Sequence, residues 1–202
     1  LEARINVLEK SLMNSLSTSL YSDGTGSSGK EVGGLQLIVA DAGTGTVGGI
    51  NSSTFTFWQN VQTTATSSAF SVANVQSDMN TIYLSLVRGA DSPDLVMAGT
   101  NAYTAFLGSL QAIQRITSDD LANSGFTSLQ YLNSDVVFDS AANTNRMYFL
   151  NTDYLRLEVA AARDFVPGEA KMSVNQDAMV TPMFWSGNLT CSNRALQGVI
   201  HT

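Results

Sequence analysis

The sequence contains one cysteine, three prolines and one histidine in 202 residues, with lysine only at Lys10, Lys30 and Lys171. Each scarcity removes a class of protein. Cys191 alone can close no internal disulfide and cannot build a cysteine-based zinc site; it suits a reducing compartment. His201 stands next to the C-terminus, where chain ends fray, so a Ser–His–Asp or Cys–His arrangement would hang on a poor residue, and no Gly-x-Ser-x-Gly occurs. The few lysines and the scattered arginines leave a net charge of −7, which provides no basic stripe for wrapping nucleic acid. No apolar run approaches the length of a membrane span, and no signal peptide is visible. Charged residues make up only 13%, and the polar remainder is Ser, Thr, Asn, Gln and Gly. Such a surface loses little solvation when covered, as in subunits of assemblies.

What is present reads as α+β. Leu1, Ile5, Leu8, Leu12, Leu16 and Leu20 form one stripe of an amphipathic helix over 1–20. Val72, Val75, Met79, Ile82 and Leu86 predict a helix over 72–88, ended by Gly89. Thr100 reads as the cap of a third helix, with Tyr103, Phe106, Leu107, Leu110 and Ile113 on its inner face. Strands are expected at 35–40, 93–99, 129–138, 146–151, 154–160, 179–191 and 195–200. The 179–191 run is expected to be one long strand packing Met179, Met183, Trp185 and Leu189 against helix 1–20. The order places two helices inside a run of strands, with no internal repeat.

Two glycine loops imitate nucleotide sites. Gly24, Gly29 and Lys30 spell most of a P-loop, but Glu31 stands where a hydroxyl is needed, a helix rather than a strand precedes it, and "EVGGLQ" follows. Gly43, Gly45 and Gly48 match Gly-x-Gly-x-x-Gly, with 35–40 as the expected strand before them. The continuation is rich in β-branched and hydroxyl residues, and no acidic residue occurs between Asp41 and Asp78. Both loops read better as flexible turns than as cofactor grips. The carboxylates Asp119, Asp120, Asp135, Asp139, Asp153, Glu158 and Asp164 read as solvated faces and turn caps rather than as a catalytic pair or metal site. No catalytic, cofactor-binding or metal residue is assigned.

Several stretches, in order, carry a resemblance: "LSTSLYSDGTG", "KEVGGLQLIVAD", "GTVGGIN…FWQN", "LQAIQRITSDDLANSGF", "DVVFD", "MYFLNTDYL", "FVPGEAKMSVNQDAMV" and "WSGNLTCSNRALQGV". From Leu1 to Val199 the chain resembles the major capsid proteins of tailed bacteriophages and prophages. The resemblance implies the Hong Kong 97-type capsid fold: a peripheral (P) domain with a spine helix, and an axial (A) domain with a mixed sheet and two helices. It maps the P-domain to 1–71 and 156–194 and the A-domain to 72–155 and 195–202. Proteins of this type also carry an N-terminal arm and an extended loop, both expected upstream of Leu1. The true N-terminus is expected there too, since the chain opens in mid-helix pattern without Met.

The resemblance further implies a structural coat protein, not an enzyme, that self-assembles through pentamers and hexamers into an icosahedral head enclosing phage DNA. The implied partners are copies of the same chain, packaged DNA contacted non-specifically, and scaffold or portal proteins, with no membrane. The implied location is the virion, after assembly in the bacterial host cytoplasm. Gly24–Gly34 and Gly43–Gly49 are expected to act as hinges. The alternatives are an encapsulin-like compartment shell, and a nucleotide-binding enzyme using Gly24–Lys30 or Gly43–Gly48. Covalent cross-linking through Lys10, Lys30 or Lys171 is left open.

Overall fold

The computed structural model of the chain describes residues 2–110, 129–172, 174, 177 and 179–202. The first half contains α1 (Glu2–Ser19), a distorted turn α2 (Gly26–Gly29), α3 (Leu35–Ile38), β1 (Thr46–Val47), β2 (Ile50–Asn51), β3 (Val61–Thr64), α4 (Val75–Leu86), β4 (Leu95–Ala98) and α5 (Thr100–Leu110). The second half contains β5 (Leu129–Tyr131), β6 (Ser134–Phe138), β7 (Arg146–Leu150), β8 (Leu155–Val159), β9 (Val166–Pro167), β10 (Lys171–Met172), β11 (Met179–Val180), β12 (Met183–Phe184), β13 (Gly187–Cys191) and β14 (Gly198–His201). Ile113, Asp119 and Asp120 lie outside the described residues.

A six-stranded mixed sheet, β3-β14-β7-β4-β6-β5, organises the body. β14 runs parallel to β3 and β4 parallel to β6, while the other neighbours are antiparallel. Alternation of side chains along a strand sends successive residues to opposite faces. Met147 and Phe149, Val96 and Ala98, and Ile200 therefore face α4 and α5, joining Met79, Ile82, Leu86 and Phe106 in the larger core. Tyr148, Leu150 and Val199 face the other way, against Tyr21, Leu35, Ile38 and Val39. Each such fully buried side chain contributes about 1.5–3 kcal/mol, and truncating Phe106 to Ala would remove roughly 3–5 kcal/mol.

α4 forms because Val75, Met79, Ile82 and Leu86 recur on one face; all four are fully buried. It starts at Val75, not at 72, and Val72 is exposed. The run 129–138 is a hairpin rather than one strand, turned at Leu132 with φ 52°. His201 is not frayed. It pairs with Thr64 and Arg146 in β14, and its Nε2 lies 3.2 Å from Gln62 Oε1.

Two further expectations fail. The apolar run 35–40 is a helical turn, α3, not a strand. Leu35 N donates to Leu20 O at 2.7 Å, which starts α3 against the end of α1, and Val39 N closes the turn on Leu35 O at 2.7 Å. A side chain at Gly34 would collide with the backbone carbonyls of Ser19 and Leu20, so this glycine serves close packing. The run 179–191 is also not one strand against α1. It breaks into β11, β12 and β13, which fold back on β10, β9 and β8 as an antiparallel hairpin over 155–191. The run breaks at Pro182, between β11 and β12, and at 185–186, between β12 and β13, and Met179 points into solvent.

Candidate functional site

The first glycine loop is closed on itself. Ser22 Oγ donates to Val32 O at 3.0 Å and accepts from Gly24 N at 3.3 Å. Asp23 Oδ1 accepts from Thr25 N and Oγ1 at 3.0 and 2.7 Å, and these bonds hold its carboxyl below the usual range. Ser27 and Ser28 are left-handed, with φ 49° and 61°, and the Glu31 carboxylate packs on Gly26. The Glu31 carboxylate beside Gly26 would repel a phosphate, and α3 after the loop is a single turn.

The second loop follows α3, not a strand, and leads into the β1–β2 hairpin, not a helix. Its carbonyls point inward. Gly45 O accepts from Ser52 N and Oγ, both at 3.0 Å. Thr44 O accepts from Arg194 Nη2 at 3.4 Å. Arg194 is fully buried; its Nε donates to Ile38 O, and its Nη1 donates to Ser52 Oγ at 3.1 Å and Trp58 O at 3.5 Å. Burial pushes its pKa down, and neutral oxygens rather than a carboxylate hold it. No motif or periodicity in the sequence marks this hub.

The other candidate residues are dispersed. Asp139 accepts from Tyr21 Oη at 2.7 Å and from Ala141 N at 2.8 Å. Burial first, then this bond, raises the Tyr21 phenol. Asp135 lies in β6, Asp153 in the turn after β7, Glu158 in β8, and Asp164 beyond it in the hairpin. Among the described residues no three His, Cys, Asp or Glu side chains are grouped to hold a metal ion. Asp41 and Arg146 pair instead, Arg146 Nε to Asp41 Oδ1 at 2.9 Å and Nη2 to Oδ2 at 2.5 Å. Lys10 lies on α1, Lys30 in the first loop and Lys171 on the hairpin. Cys191 ends β13, and burial raises its thiol. No described helix is long and apolar enough to cross a membrane.

The unsatisfied feature of this chain is apolar surface. No described residue of α1 is buried, and Ile5 and Leu8 of its stripe are exposed, as are Val7 and Met13. Phe55 and Phe57 stand out beside β2 with ring centroids 6.0 Å apart. The outer hairpin exposes Val166, Met172, Val174, Met179, Val180 and Phe184, with Val174 at 98%. A two-stranded ribbon is marginal in water without something to pack on. Exposed apolar side chains grouped on α1 and the hairpin make these the candidate interaction surfaces. Between α1 and the hairpin runs a groove of about 340 Å³, lined by Leu12, Leu16, Val32 and Trp185 among others.

No family model matches the sequence, and no curated protein matches it. Solved structures do. A subunit of the Cyanophage A-1(L) capsid asymmetric unit superposes with a TM-score of 0.71 at 16% identity, over 98% of this chain and 66% of that one. A prophage protein of E. coli CFT073, described as a capsid protein, superposes with a TM-score of 0.51 at 8% identity, over 83% of this chain and 60% of that one. This chain thus spans just under two thirds of the first and three fifths of the second. The mixed sheet, its two helices and the long hairpin are together the fold of a phage capsid subunit.

Proposed function

We propose that this chain forms a protein shell: it is the coat subunit of a phage or prophage head, joining copies of itself through pentamers and hexamers around packaged DNA. The observation that carries the reading is the pairing of a capsid fold across 98% of the chain with apolar surfaces on α1 and the hairpin that the chain itself leaves bare. A shell subunit needs broad, weakly charged surfaces repeated by symmetry, so that many modest contacts sum to a stable container. In this reading the body at 72–155 and 195–202 is the A-domain, and 1–71 with 156–194 is the P-domain. The part played is structural rather than catalytic, and the location is the virion.

A net charge of −7 suits a wall that holds DNA without gripping it. Scaffold or portal proteins would be further partners. The test is to express the full gene product and image it. Closed shells that enclose nucleic acid support the reading, and shells that enclose protein cargo favour the compartment alternative. A stable monomer whose melting temperature rises with ATP or NAD would favour the enzyme alternative, because a ligand of the native state alone must raise it.

A further inference from the structure

The last strand of the sheet in chain order does not lie at its edge. β14 sits between β3 and β7, and among the described residues β3 pairs with no other strand. Consecutive residues of β14 serve both cores: Val199 belongs to the smaller and Ile200 to the larger, each 0% exposed. A Cβ at Gly198 would stand 2.7 Å from Leu86 Cδ1 and 3.0 Å from Ile82 Cδ1, so α4 rests directly on this strand. The residues just ahead of β14 reach as far back along the chain. Arg194 Nε donates to Ile38 O, 156 residues earlier, and Arg194 Nη1 to Ser52 Oγ, 142 residues earlier. Gln197, also fully buried, accepts from Asn151 N and donates to Asn151 O, both at 3.0 Å.

We propose that the segment 194–201 is a keystone: the chain reaches its native fold only when this stretch, made after every other part of the sheet, inserts between β3 and β7. The order follows from what each region can close alone. The run 75–150 holds β4, β5, β6 and β7 with α4 and α5, and its β4–β7, β4–β6 and β5–β6 ladders need nothing from outside it. Pairings close in sequence cost less chain entropy and form sooner. β3 has no such option. Its ladder needs β14, and the Arg194 bonds that hold α3 and the turn at Trp58 need a residue 136 to 156 positions on. Ties outside the segment, such as Arg146 to Asp41 and Tyr21 to Asp139, are single part-buried contacts. The segment supplies two ladders and a side chain to each core.

A chain cut short of Arg194 lacks a strand from within its sheet and leaves the facing edges of β3 and β7 unpaired. On the shell reading, such a chain is kept out of assembly, so the keystone makes a complete sheet the condition of joining. The keystone itself is a property of the single chain, and folding measurements decide it whether or not shells form.

Pulsed hydrogen exchange during refolding of the full chain reads the order directly. Amides of the β4–β7 and β4–β6 ladders should gain protection in an earlier phase, and those of α3, β3 and β14 together in the last. Two substitutions separate the keystone from an ordinary core strand. Ile200→Val should leave the early phase at its wild-type rate and speed unfolding about three- to tenfold, whereas Val96→Ala in β4 should slow the early phase about tenfold. A second measurement holds the full chain on the ribosome through a short or a long linker, with Val39→Cys as a buried reporter in a Cys191→Ser background. With 194–201 kept inside the exit tunnel, the reporter should react with a thiol reagent; with the segment released, it should be protected. A reporter protected while the segment is still in the tunnel, or β14 amides protected in the same phase as β4 and β7, would overturn the keystone. If Val96→Ala does not fold, the wild-type order and Ile200→Val decide.

Discussion

The buried Arg194 guanidinium donates through Nε to the carbonyl oxygen of Ile38, 156 residues earlier in the chain. That bond joins the turn before the last strand to α3, and the same side chain gathers Ser52, Trp58 and Thr44. Replacing Arg194 by Met would leave three carbonyls buried without this donor. The expected cost is about 3 kcal/mol, or roughly 6–12 °C in melting temperature for a chain of this size. A thermal melt that moves by less than about 2 °C would remove Arg194 from its place as the hub.

Tyr148 presents the opposite case. It is fully buried and its hydroxyl has no hydrogen-bond partner. Tyr148→Phe removes a polar atom that gains nothing in the fold, so stability should hold or rise by up to about 1 kcal/mol. Denaturant unfolding of the variant reads this directly; a loss of more than about 1 kcal/mol would mean that the hydroxyl is bonded in solution.

Alkaline pH should unfold the chain through its tyrosines. Burial pushes the Tyr148 and Tyr131 phenols up to about 12, against an ordinary value of 10.0. Below pH 10 both phenols are protonated in the folded and unfolded chain, so they add no pH dependence. Between about pH 10 and 12 the unfolded chain loses these protons first, and stability falls as pH rises. Melts across that range, alongside tyrosinate absorbance, should show ionisation of these rings arriving together with unfolding. Stability that stays flat to pH 12 would contradict their burial.

The exposed apolar side chains should matter to association and not to folding. Leu8→Glu on α1 and Met172→Glu on the hairpin alter residues that are 43% and 72% exposed. Each should leave monomer stability within about 0.5 kcal/mol of the wild type while blocking particle formation in sedimentation or light scattering. Particles that form normally from both variants would free these surfaces from the proposed role.

Strongly periodic elements were legible from sequence. The four-three-four spacing of Val75, Met79, Ile82 and Leu86 and the continuous apolar run at 147–150 follow directly from one-sided and two-sided burial. The run 35–40 was not, because a short apolar stretch fits a buried strand and a buried turn equally well. Its conformation is decided by Gly34 packing on the end of α1, a contact invisible to periodicity. Likewise "MVTPMFWSGNLTC" has the residue types of a core strand but lies largely in an exposed hairpin and breaks at Pro182 and at 185–186. The resemblance in block order reached the fold, whereas no motif or periodicity marks Arg194 and Gln197, the side chains that tie distant segments. An Asn immediately before a turn, accepting from the amide two residues on, as at Asn193, is the one local hint.

Electron microscopy of the purified full gene product tests the central claim most directly. The account predicts closed, symmetric shells built from five- and six-membered rings of this chain, which Leu8→Glu or Met172→Glu prevents. A uniform population of free monomers under conditions where the chain is folded and concentrated would contradict it.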